Sequence, residues 1–90
     1  MLKTLEELIF IIRQRKGSSP DKSYTNKLLT DKKLSTEKVK EEIAELIEAI
    51  EKNSNKVHET ADVLYHLMVL LEANGIKIED VMDELKKRQK

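Results

Sequence analysis

The sequence predicts an all-α fold: an antiparallel bundle of about four to five helices in a single domain over residues 1–90. Three observations predict it. Gly occurs twice and Pro once in 90 residues, so long stretches run without a helix breaker. Aliphatic residues recur at intervals of three and four, the period of a helix with one buried face. Aromatics are only 3% of the chain, so the core must be assembled from Leu, Ile, Val, Ala and Met. Such a core is modest in size, and completion by homodimerisation is expected.

The first helix is expected from about Leu2 to Lys16, where Leu5, Leu8, Ile9 and Ile12 form one apolar stripe. Gly17 stops it. The stretch "GSSPDKSYTNKLLTDKK" then reads as loop, with a short helical turn near Tyr24–Leu29. A second long helix is expected to start at Ser35 or Thr36, with Ser35 available as a cap. Its expected buried stripe is Val39, Ile43, Leu46, Ile47 and Ile50, and "KNSN" ends it. The third helix, about Val57 to Ala73, carries "VLYHLMVLL", which is apolar on more than one face; a dimer interface would supply the extra burial. Asn74-Gly75 ends that helix. A last short helix, "IKIEDVMDELKKR", is expected to turn Val81, Met82 and Leu85 inward, with basic residues at its C-terminus, where the helix dipole favours them.

Charge narrows the function. With 17 basic and 17 acidic residues the net charge is zero, which argues against nucleic acid as a partner. No cysteine is present, so disulfide frameworks and thiolate zinc sites are excluded. Glu6 and Glu7 break the N-terminal apolar stripe, which is wrong for a signal peptide. No apolar run approaches the roughly 18–20 residues of a membrane span. A cytoplasmic protein with no membrane association is the expectation.

The carboxylates are the main chemical signal. Glu41, Glu42, Glu45 and Glu48 crowd one helix, where like charges at helical spacing cost roughly 0.2–0.5 kcal/mol per exposed pair. Glu59 and Asp62 sit three apart on the next helix. The short "NSN" connection makes the two helices antiparallel neighbours, with axes roughly 8–10 Å apart. ExxE therefore faces ExxD at similar height. Four converging carboxylates suit a hard cation such as Mg²⁺ or Mn²⁺. The competing reading is a solvated acidic face, with Lys38, Lys40 and Lys52 as partners. Against it, Asp62 stands between Ala61 and Val63 in the most apolar helix, where an unpaired charge is costly. His58, Asp62 and His66 share a stripe, a weak zinc pattern; His66 reads rather as a hydrogen-bonding residue near the core. The sequence holds no nucleophilic triad and no Gly-rich phosphate loop.

The segments "SYTNKLL", "KVKEEIAEL" and "ETADVLYHLMVLLEANGIKIEDVMDEL" resemble the phosphoribosyl-ATP pyrophosphohydrolase family. That family belongs with the MazG-like and dimeric dUTPase groups of all-α nucleotide pyrophosphohydrolases. The resemblance runs from about Leu5 to Arg88. It implies hydrolysis of phosphoribosyl-ATP to phosphoribosyl-AMP and pyrophosphate, the second step of histidine biosynthesis, by a homodimer. It implies Mg²⁺ held by Glu42, Glu45, Glu59 and Asp62, with catalytic Glu41, Glu42 and Glu45. Glu41 would be a ligand or the base that orients water. Substrate contacts are implied for Ser23, Tyr24 and Thr25 of the SYT motif and for Arg13, Lys16, Lys27 and Lys38; Lys22 reads as a solvated surface lysine. One departure stands out: the family usually reads KVGEE, and Lys40 replaces that glycine. Many relatives are fused to a cyclohydrolase with cysteine-bound zinc, so the cysteine-free sequence suggests a stand-alone pyrophosphohydrolase. The competing functions are a house-cleaning nucleoside triphosphate pyrophosphohydrolase, which would share the acids but not the SYT segment, and a non-catalytic helical dimerisation module.

Overall fold

A computed structural model describes residues 1–89. Among them are five α-helices and no strand: α1 (Lys3–Gln14), α2 (Tyr24–Thr30), α3 (Lys32–Lys52), α4 (Lys56–Ala73) and α5 (Ile78–Arg88), with one 3₁₀ turn at Arg15–Gly17. The all-helical expectation holds, and α1 and α4 lie within a residue or two of their expected limits.

Two boundaries differ. The turn near Tyr24 is a full helix, because the Ser23 side chain accepts from the Asn26 N–H at 3.1 Å and caps it. The second long helix begins earlier than Ser35, because Asp31 caps it by accepting from the Leu34 N–H at 3.0 Å. Ser35 is therefore not a cap. It lies buried inside α3 and donates its hydroxyl to the Leu28 carbonyl, tying α3 to α2. Buried Asn26 ties the loop down, donating to the carbonyls of Arg15 (2.8 Å) and Ser18 (3.1 Å).

The core gathers where α1, α2 and the C-terminal half of α4 meet. Ile12, Leu28, Leu29, Met68 and Val69 are buried there, with Leu5, Leu8, Ile9, Leu34 and Ile78 packed around them. Fully burying such a side chain contributes roughly 1.5–3 kcal/mol. The α1 stripe is the one the sequence predicts.

The longest contact is between α3 and α4, which form an antiparallel hairpin. Its turn is tight. Asn53 and Asn55 both take left-handed backbone (φ 53° and 54°), a conformation asparagine tolerates better than most residues. Ser54 N–H returns to the Ala49 carbonyl at 3.0 Å and closes α3 in the Schellman manner. Gly75, at φ 69°, closes α4 in the same way, with Ile76 N–H on the Leu71 carbonyl at 2.9 Å.

The buried row of α3 differs from the expected stripe. Val39 and Leu46 point in, but Ile43, Ile47 and Ile50 are exposed. The inward row is Ser35, Val39, Glu42, Leu46 and Ala49, at alternating steps of four and three. Such a row follows the seam between two nearly antiparallel helices. The matching row of α4 is Glu59, Asp62, His66 and Val69. Acidic residues thus occupy seam positions where an aliphatic side chain is normal. The last helix departs as well: Ile78 and Val81 turn inward, while Met82 and Leu85 are about half exposed.

Candidate metal centre

The seam brings the sequence-predicted acids together. Carboxylate oxygens of Glu41, Glu42 and Glu45 lie within 4.8 Å of one another on α3, and ligand atoms of His58, Glu59 and Asp62 do the same on α4. The two groups face each other across the hairpin, so Glu45 and Asp62 both act on the charge of Glu42 and Glu59. Beside them a shallow cleft opens toward the turn, lined by Glu45, Glu48, Lys52, Ser54 and Glu59. The sequence could place ExxE opposite ExxD because the connecting turn is short. It could not show that Glu42 is the most enclosed of the set, with a side chain only 12% exposed.

Electrostatics follow from that burial. The Glu42 carboxyl is pushed up to about 7, first by burial and then by the charges of Glu45, Asp62 and Glu59. Glu59 is raised for the same reasons, opposed by His58. One oxygen of each, Oε2 in both, is buried without a hydrogen-bond partner. Among the described residues no Lys or Arg pairs with Glu42, Glu45, Glu59 or Asp62; the basic contacts are histidine ones, His66 Nε2 at 3.7 Å from Glu42 Oε1 and His58 Nε2 at 3.4 Å from Asp62 Oδ2. The three residues of the weak zinc pattern do not converge as one group. His58 stays with Glu59 and Asp62, and His66 turns to Glu42. Burial keeps His66 below the ordinary histidine range, although Asp62 opposes it. Glu48 stands apart from the cluster, paired with Lys52, which holds its carboxyl low.

The SYT segment borders this site through α4. Tyr24 and His66 pack in a T-shaped arrangement with ring centroids 6.4 Å apart, and Tyr65 packs on His66 in a similar arrangement at 4.9 Å. Thr25 and Tyr65 share a hydroxyl–hydroxyl hydrogen bond. Ser23 is occupied with its capping bond. Lys38 lies at the rim, 3.5 Å from Glu41, and Lys27 is exposed.

Arg13 and Lys16 are engaged elsewhere. Arg13 donates from Nε to Glu72 (3.0 Å) and from both terminal nitrogens to Glu79 (2.9 and 2.7 Å). Lys16 reaches Glu72 at 2.9 Å. Sequence reasoning missed Glu72 and Glu79 because their partners are far away along the chain. It also missed the approach of His66 to Glu42, for which the only available signal was the step-of-four spacing from Asp62.

The profile of a family described as phosphoribosyl-ATP pyrophosphohydrolase matches residues 5–89. A phosphoribosyl-ATP pyrophosphatase of Metallosphaera sedula is 44% identical over 93 residues, spanning all of both chains. One from Allorhizobium ampelinum is 44% identical over 90 residues, 94% of this chain and 85% of that protein. A chloroplastic bifunctional histidine-biosynthesis protein of Arabidopsis thaliana is 46% identical over 95 residues; the match takes in 97% of this chain but only 34% of that larger protein.

Proposed function

The chain belongs to the phosphoribosyl-ATP pyrophosphohydrolase family, and from that premise we propose that the α3–α4 seam is its divalent-cation site. The family reaction is hydrolysis of phosphoribosyl-ATP to phosphoribosyl-AMP and pyrophosphate, within histidine biosynthesis. The observation that carries the metal reading is the pair of buried carboxylate oxygens, on Glu42 and Glu59, that no protein donor meets. Buried charges of one sign are costly unless a charge of the other sign joins them or they take up protons. Carboxylate oxygens alone, with no thiolate, fit a hard cation.

Glu42, Glu45, Glu59 and Asp62 would hold Mg²⁺, which when bound supplies charge neutralisation for the polyphosphate and polarisation of the attacking water. The chain's own residues do the rest. Glu41, exposed at the rim beside Glu42 and Glu45, accepts the proton of the water that attacks phosphorus. Lys38 is beside it and offers its ammonium to a phosphate oxygen. Tyr24 and Thr25, which contact His66 and Tyr65 of α4, and exposed Lys27 on the same short helix meet the remaining phosphate and ribose groups. Ser23 contributes by fixing the start of α2. Arg13 and Lys16 act from a distance, through Glu72, by holding the C-terminal end of α4.

The working unit is a homodimer. Ile43, Ile47 and Ile50 on α3 and Val57, Ala61 and Leu64 on α4 form two outward stripes on one hairpin, with Val57 86% exposed. An apolar face of this kind marks a protein–protein contact. Light scattering should give twice the mass of one chain. No described helix is long and apolar enough to cross a membrane, in keeping with a cytoplasmic enzyme.

The reaction is tested by pyrophosphate release from phosphoribosyl-ATP with Mg²⁺ and with EDTA, using ATP and dUTP as controls. Mg²⁺-dependent release from phosphoribosyl-ATP alone is expected. Release from the controls in its place would move the chain to the house-cleaning enzymes, and release undiminished by EDTA would remove the metal.

A further inference from the structure

Glu42 is the most enclosed carboxylate of the cluster, and its orientation is not fixed by any lysine or arginine among the described residues. The group that faces it is His66. Its side chain is 10% exposed, and Nε2 lies 3.7 Å from Glu42 Oε1. Two aromatic rings pack against it in T-shaped arrangements, Tyr65 at 4.9 Å and 74° and Tyr24 at 6.4 Å and 90°. Burial and these contacts restrict the ring.

A neutral imidazole carries one N–H. His66 Nδ1 is buried with no partner, so a proton placed there would meet nothing. Nε2 is the ring nitrogen that lies near Glu42 Oε1. The other oxygen of that carboxylate, Oε2, is the buried one that no protein group meets. A contact of 3.7 Å is longer than a hydrogen bond. Such contacts are commonly long in a ligand-free site and tighten once the ligand is bound.

We propose that His66 is a positioning residue: its Nε2–H holds Oε1 of Glu42, leaving Oε2 free to take the cation. This rests on the metal reading of the α3–α4 seam given above. His66 touches neither substrate nor metal. It acts through Glu42, as partners of metal-bound carboxylates do, and losing such a partner typically costs 10–100-fold in metal affinity. The same ring packs against Tyr24. The SYT segment and the metal carboxylate are thus held through one side chain.

The test is direct Mn²⁺ binding, followed by the electron paramagnetic resonance signal of the free ion, to the wild-type chain and to His66→Gln, His66→Asn and His66→Leu. Asp62→Asn serves as the control for the cradle. Gln puts an amide N–H near the place of Nε2; Asn puts it near Nδ1; Leu has none. Thermal melting without metal checks that each variant is folded. Leu and Asn should weaken Mn²⁺ binding about 10–100-fold, and Gln should restore most of it. A merely structural histidine would lower the melting temperature in Leu and leave Mn²⁺ affinity unchanged, and that result overturns the proposal. Equal loss in Gln and Leu, or equal affinity in Asn and Gln, overturns it too. If the wild type binds no Mn²⁺, the metal reading itself falls and the proposal with it. If wild type binds and Asp62→Asn does not, the cradle stands whichever way the His66 variants behave.

Discussion

Helix α4 carries carboxylates at both ends, and the two ends treat them in opposite ways. Near its start, Glu59 and Asp62 face Glu42 and Glu45, acid against acid, and the carboxyls of Glu42 and Glu59 are pushed up. Near its end, Glu72 is about as enclosed as Glu42, 9% against 12% exposed, but meets Arg13 and Lys16. Burial alone would raise Glu72, yet the hydrogen bonds from Lys16 and Arg13 outweigh it and hold the carboxyl low. Glu79 beside it is held at about 2, chiefly by Arg13. Both clusters bury charge; only one balances it. A balanced cluster needs nothing further and serves the fold. An unbalanced one carries like charges that the proposed cation would offset, and such imbalance points to a functional site.

Removing a carboxylate from each cluster tests the contrast most strongly. Asp62→Asn or Glu45→Gln should lower kcat on the order of a thousandfold or more, since a bound cation is worth several kcal/mol to the transition state. The melting temperature of the metal-free protein should stay level or rise, because repulsion is relieved. Full activity in either variant would remove the metal assignment. Glu72→Gln should do the reverse. It should cost about 1–2 kcal/mol of stability, or roughly 5–10 °C in melting temperature, with kcat largely kept in the folded fraction.

Titration separates the clusters without mutation. A carboxyl raised from 4.5 to about 7, as Glu42 is, binds its proton more tightly when folded. Its contribution to stability is therefore present below about pH 4.5 and is lost as pH rises toward 7. Glu79, lowered to about 2, contributes stability above 4.5 that is lost as pH falls toward 2. Melting of the metal-free protein should thus decline from pH 4.5 to 7, and saturating Mg²⁺ should flatten that decline. A decline unaffected by Mg²⁺ would assign it to groups outside the seam. The smallest effect is local. Glu79→Ala frees α5, which has no fully buried residue, so amides of α5 should exchange faster while the rest of the chain keeps its protection.

How much of this is legible in the sequence differs between the two ends. The helices can be read from their periodicity, and Gly75 announces the end of α4. The ExxE and ExxD pair can be read because "NSN" forces a tight reversal. The seam itself is hidden. Hydropathy puts Ile43, Ile47 and Ile50 inside, one position away from the true row, because they are the most apolar residues available. The hairpin instead turns Glu42 and His66 inward and leaves the isoleucines on the outer face assigned above to a second subunit. The start of α3 was missed because Lys32 and Lys33 suit a helix N-terminus poorly, and the cap at Asp31 outweighs them. The Arg13–Glu72–Glu79 cluster has no local pattern to find; it exists only once α1, α4 and α5 are packed.

The turn between α3 and α4 works as an index mark. Two left-handed asparagines and a closing bond on Ala49 set where α4 begins relative to α3. A helix advances about 100° per residue. One residue added between Asn53 and Asn55, or one removed, would therefore roll Glu59, Asp62 and His66 off the seam together, with every acid still present. Loop length here is as much a determinant of the proposed cation site as the side chains that would hold the ion. An insertion in those few positions is the shortest route from this enzyme to an inert hairpin.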